Sequence, residues 1–133
     1  MKTQFIAYAG ALMTLLVLDV IWLGLVARTF YRDQLGELML PSPNLGIAVV
    51  FYVFFAVAIV FLATRPGLSS ASITIAIIHG AVLGLAAYGT YDVTNLATLK
   101  NWPLAMSIVD VLWGGFVTAM AAAGGYLAVR AFA

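Results

Sequence analysis

Polar residues are so sparse along this chain that the breaks between apolar runs, rather than the runs themselves, mark out its elements. Four apolar stretches of about 20 residues each, the length a helix needs to cross a hydrocarbon core, are separated by short polar or Pro/Gly-marked segments. The pattern predicts helices over about 3–28, 43–64, 70–99 and 103–130. It reads as an all-α fold: one domain over residues 1–133, with four transmembrane helices in an antiparallel bundle. The run from Phe5 to Ala27 is too long for a signal-peptide core and carries Asp19, so the first helix is expected to remain in the protein.

The breaks carry their own signals. After helix one, RTFYRDQLGELMLPSPN mixes Arg28, Arg32, Asp33 and Glu37 with Phe30, Leu35 and Leu38, which suits an interfacial amphipathic turn or an ordinary loop. Ser42 and Pro43 read as the cap and first turn of helix two, and Arg65, Pro66 and Gly67 as its end. Helix two is aromatic and almost free of polar groups (FYVFFAVAIVFLA). It is assigned no chemistry, and Ala56 is taken as a lipid-facing position. Serines 69, 70 and 72 can cap helix three, while Lys100 to Pro103 break the chain at an interface, with Trp102 in an aromatic belt. Small residues at four-residue spacing, Ala76, Gly80 and Gly84 on helix three and Gly115, Ala119 and Ala123 on helix four, mark where backbones approach within the bundle.

Composition sharpens this picture. The chain is 65% hydrophobic and 8% charged, against about a quarter charged for soluble domains, so lipid is its main solvent. Its net charge of +1 is too small and too scattered for a nucleic-acid footprint, and no nucleic-acid partner is expected. Without Cys, and with His79 alone, there is no metal-ligand spacing and no thiol chemistry, and nothing names a cofactor. Lys2, Arg65 and Arg130 balance Arg28, Arg32 and Lys100, a tie that leaves orientation open under the positive-inside rule.

The informative residues are acids inside the spans. LDVIWLGL (Leu18 to Leu25) and VDVLWGGF (Val109 to Phe116) each place a Trp three positions after an Asp, on the same helical face. Asp92 and Asn95 repeat that spacing on helix three. Counted from the helix ends, Asp19, Asp92 and Asp110 each lie roughly 12 to 14 Å from one membrane boundary, so the three carboxyls share a level. An Asp near the bilayer centre costs about 2.5 to 3.5 kcal/mol, so all three should face inward. Asn95, Thr94, Thr90, Thr98, Trp22, Trp113, Tyr88 and Tyr91 are candidate partners, and Arg32 could reach down from the boundary. The functional reading is a polar site opening towards the first and third loops; the structural one is a hydrogen-bonded belt that fixes helix packing. His79 lies about 20 Å along the axis from Asp92 and reads as an interhelical packing residue.

The string TYDVTNLATLKNWP (Thr90 to Pro103), with LDVIWLG, the FYR of Phe30 to Arg32 and VDVLWG, resembles a family of small bacterial inner-membrane proteins known as a domain of unknown function. The resemblance spans essentially the full chain and implies a bacterial source, an inner-membrane location and four helices. The family's recurrent residues correspond here to Asp19, Trp22, Tyr31, Arg32, Tyr91, Asp92, Thr94, Asn95, Trp102, Asp110 and Trp113.

Three functions remain open. The leading one is binding or permeation of a cation, a proton or a small polar molecule at the Asp cluster, shaped by Asn95 and the two tryptophans. The second is a non-catalytic accessory or assembly subunit of a larger membrane complex. The third, a small enzyme acting on a lipid, has least behind it, because only the carboxyls could do chemistry. Expected partners are membrane lipids and either copies of the chain or a larger membrane complex.

Overall fold

The computed structural model describes all 133 residues and is helical nearly throughout. Four helices are long and apolar enough to cross a membrane: α1 (Lys2–Leu38), α2 (Leu45–Ser69), α3 (Ile73–Thr98) and α4 (Leu104–Phe132). Large apolar side chains such as Val20, Leu25, Val50, Phe54 and Leu112 point outward, as lipid-facing positions do.

Helix α4 is the most enclosed of the four and packs along both α1 and α3. Its small residues make this possible. A Cβ on Gly10 of α1 would lie 2.7 Å from the Gly124 carbonyl oxygen, and one on Gly80 of α3 would lie 2.9 Å from Ala119 Cα. A Cβ on Gly84 would collide with the Gly114 carbonyl and with Thr118. Both glycines of the GxxxG on α3 therefore meet α4, inside the protein. Along α1, Ala7 meets Gly125, Asp19 meets Trp113 and Tyr31 meets Asp110, so contacts descend in α4 as they ascend in α1. Helix α2 is tied in by Tyr8, which donates to the Val53 carbonyl at 3.0 Å, and by Thr64, which donates to the Ala122 carbonyl at 3.1 Å. His79 contacts the Leu62 carbonyl at 3.3 Å, the interhelical role expected of it.

Three boundaries differ from the sequence reading. Helix one does not stop near Arg28. It continues through a wide π-helical stretch, Leu23–Tyr31, then Arg32–Leu35 and a last tight turn, Gly36–Leu38, so the mixed segment is mostly helix. Helix two is capped by Asn44 rather than Ser42: the Asn44 side chain accepts from the Ile47 N–H at 3.2 Å, which places the start at Leu45. Nor do Arg65, Pro66 and Gly67 end it. A second π-helical turn, Val60–Thr64, lies just before the proline and absorbs its missing N–H, and the helix runs on to Ser69. Ser72 caps α3 as expected, accepting from Ile75 N–H at 3.3 Å.

Ala56 also departs from the reading. It is fully buried beside Phe55 and Ile59, because α2 turns this stripe towards the protein and leaves Val50, Phe54 and Phe61 outside.

Candidate functional site

Asp19 on α1, Asp92 on α3 and Asp110 on α4 are all buried, and the structure brings them together. Each is held differently. Trp113 donates its indole N–H to Asp19 Oδ1 at 2.9 Å. Trp22 lies flat against Trp113, with ring centroids 4.2 Å apart and planes 8° from parallel. The repeated Asp-x-x-Trp pattern thus works across the helix pair: the tryptophan of one copy serves the aspartate of the other.

The second copy is not served in the mirror-image way. Trp22 donates to the Tyr31 hydroxyl at 3.3 Å, and Tyr31 donates to Asp110 Oδ1 at 2.6 Å. Tyr31 reaches this point because of the π-helical stretch. Nine residues of regular α-helix make about two and a half turns and would put Tyr31 on the face opposite Trp22. Bonding to the fifth residue turns the chain more slowly, so the same nine residues complete about two turns and return Tyr31 to that face.

Asp92 has no such donor. It is 0% exposed, and neither carboxyl oxygen accepts a hydrogen bond. Its carboxyl instead faces that of Asp110 within hydrogen-bond reach. On the other side of the cluster, the Tyr52 hydroxyl of α2 faces Asp19.

Of the other expected site residues, Trp22 and Trp113 sit in the cluster, whereas Asn95, Thr94 and Arg32 do not complete it. Asn95 is half-buried one turn along from Asp92 and donates to neither of its oxygens. Thr94 is exposed and turns its hydroxyl back to the carbonyls of Thr90 and Tyr91, as threonines in apolar helices commonly do. Arg32 is exposed, as are Arg28 and Lys100. Tyr91 is exposed at one edge and packs edge-on against Trp102 at 5.6 Å. Two tyrosines join the site that helical spacing does not place there, Tyr31, marked only by the family resemblance, and Tyr52, alongside Tyr88, a candidate donor from the sequence. Tyr52 lies in the helix to which no chemistry was assigned. Tyr88 packs over Gly114, where any side chain would collide with its ring.

The cluster is reached from the side. Helices α2 and α3 pack together over Val60–Ser69 and diverge over the rest of α2. The gap is a cleft of about 340 Å³ lined by Phe51, Phe55, Ala87, Tyr88, Tyr91 and Asp110. The cleft lies between two helices, and Phe51, near the start of α2, and Tyr91, near the end of α3, place it in the half of the protein nearer the first and third loops.

The family whose model matches residues 4–127 is described as "Predicted membrane protein (DUF2177)". The chain belongs to this family. That description fits the four apolar spans and assigns no activity. No curated protein and no solved structure matches the chain.

Proposed function

We propose that this is a multi-pass protein of the bacterial inner membrane that binds a proton or a cation at the Asp19, Asp92 and Asp110 cluster. One observation carries the reading: Asp92 is fully buried, has no donor to either oxygen, and faces a second carboxyl. Two carboxylates offer each other only lone pairs, and an unpaired charge in such a place is very costly. A proton held between Asp92 and Asp110, or a positive group seated against them, satisfies both. A belt that merely held the helices together would need donors on the Asp92 oxygens, and Asn95, one turn away, supplies none. No three carboxyl or imidazole groups come together at metal-ligand spacing, which favours a proton or an organic cation over a metal ion. The accessory-subunit and lipid-enzyme readings have no comparable observation behind them.

Carboxyl infrared difference spectra across pH test the proposal on purified protein in lipid nanodiscs. A shared proton gives a band that is lost from wild type in a step coupled to a second carboxyl, and that changes in both Asp92→Asn and Asp110→Asn. Carboxyls that titrate one by one, each as free aspartate does, would refute it.

A further inference from the structure

The cleft between α2 and α3 opens onto Asp110, and its walls are chemically specific. Phe51 and Phe55 stack at 5.2 Å, and Phe55 meets Tyr88 at 6.3 Å, so three rings form one continuous aromatic wall. Asp110 is the acidic group in the lining, and Asp92 lies behind it. No Arg or Lys lines the cleft. Aromatic faces converging on a carboxylate attract a positive charge through the ring quadrupole and exclude an anion. The volume, about 340 Å³, falls at the lower end of the range for small-molecule sites. Phe51 is 48% and Tyr91 54% exposed, so the mouth faces the surroundings of the helices, where an apolar body is at home.

We propose that this cleft binds an organic ammonium with an apolar body, taken up from the lipid, and seats its charge at Asp110 against Asp92. The proposal rests on the functional reading above and names its ligand class. Binding exchanges charge for charge: the cation enters, the proton held between Asp92 and Asp110 leaves to solvent, and the net charge of the cluster is unchanged. The other ionisable groups facing the pair are Tyr31 and Asp19 of α1, Tyr52 of α2, and Tyr88 and Tyr91 of α3. No basic group is among them, so nothing within the protein replaces the incoming cation.

Calorimetric titration with benzyltrimethylammonium, whose charge is permanent, tests this on the full chain, with neopentylbenzene as the uncharged probe of the same shape. The cation is expected to bind at least tenfold more tightly than the neutral probe. Repeating the titration in buffers of different ionisation enthalpy should show one proton released per cation. Ala87→Trp fills the cleft and should weaken binding at least tenfold, whereas Val82→Trp, at an exposed position elsewhere on α3, should leave it unchanged. Phe51→Leu keeps an apolar wall but removes a ring at a partly exposed site, and should cost about fivefold in affinity. Equal affinity for the two probes, or wild-type binding in both Ala87→Trp and Phe51→Leu, overturns the proposal. If wild type binds no cation while the infrared signature of a shared proton persists, the ligand class is wrong and the acid pair stands. If that signature is also missing, both fall.

Discussion

The indole N–H of Trp113 meets Asp19 across the α1 and α4 interface at 2.9 Å, while the ring of Trp113 lies flat on Trp22 from the same turn of α1 as Asp19. One side chain thus supplies both a polar and an apolar contact to the same stretch of helix. Trp113→Phe separates the two, keeping most of the stacking surface while leaving Asp19 to Tyr52 alone. The loss should be about 1–3 kcal/mol, the cost of a buried acceptor without its donor. Asp19→Leu combined with Trp113→Phe should recover part of it, because no orphaned carboxyl remains. Thermal melts of the two variants in one detergent decide the matter; a double variant less stable than Trp113→Phe would show that the indole contributes mainly by packing.

Tyr31 holds Asp110 from the far end of the π-helical stretch at 2.6 Å. Tyr31→Phe removes the hydroxyl and nothing else, so the fold should survive, with a loss of about 1–3 kcal/mol. The Asp110 carboxyl band should move in the infrared spectrum. Trp22→Phe removes only a 3.3 Å bond to the same hydroxyl and should move that band less. A larger shift from Trp22→Phe than from Tyr31→Phe would reverse the order of the chain.

These two residues show what could be read from the sequence and what could not. Span number, the inward placement of all three acids and the pairing of small residues followed from apolar length and four-residue spacing, which depend only on lipid as solvent and on regular helix geometry. Tyr31 is marked by the family resemblance but not by spacing, because placing it requires the slower turn of Leu23–Tyr31, and helical periodicity alone puts it on the wrong face. Tyr52 was hidden among the aromatic residues of α2, where one hydroxyl in an apolar run carries no periodic signal. Thr94 and Asn95 were included because their side chains can donate; the threonine hydroxyl is claimed by its own helix, and the amide lies a turn away from the carboxyl.

Close helix contact makes the glycines unequal. A side chain on Gly84 would strike the Gly114 carbonyl, which is backbone and cannot move aside, whereas one on Gly115 would meet the flexible end of Leu85 at 2.8 Å. Gly84→Leu should therefore destabilise more than Gly115→Leu, and both more than Val50→Leu at a position 71% exposed. Ala56→Leu belongs with the damaging changes, because Ala56 is fully buried. Melting temperatures in detergent give the order, and equal losses for Gly84→Leu and Val50→Leu would mean that α3 does not pack on α4 as described.

Four spans require the ends of successive helices to alternate across the membrane. Reporter fusions after Glu37 and at Asn101 should give signals from one side, and fusions at Gly67 and the C-terminus from the other. This holds for either overall orientation, since inverting the protein exchanges the two sets together. Signals from opposite sides at Glu37 and Asn101 would exclude four spans.

Asp92 is where charge and shape can be separated most cleanly. Asp92→Asn preserves the side-chain outline in a site that is 0% exposed and presents an N–H to Asp110, which already accepts from Tyr31. The variant should fold, with a melting temperature close to that of wild type, because a donor now occupies the place of the shared proton. Asp92→Leu offers no donor, so Asp110 keeps only the Tyr31 hydroxyl, and stability should fall by about 1–3 kcal/mol relative to Asp92→Asn. In both variants the coupled carboxyl step should vanish from the infrared titration, since only one member of the pair remains. Stability and titration are thus expected to part company: Asp92→Asn keeps the first and loses the second. If Asp92→Asn instead unfolds while Asp92→Leu is stable, the carboxyl is not held against Asp110, and the pair cannot be the site of a proton or a cation.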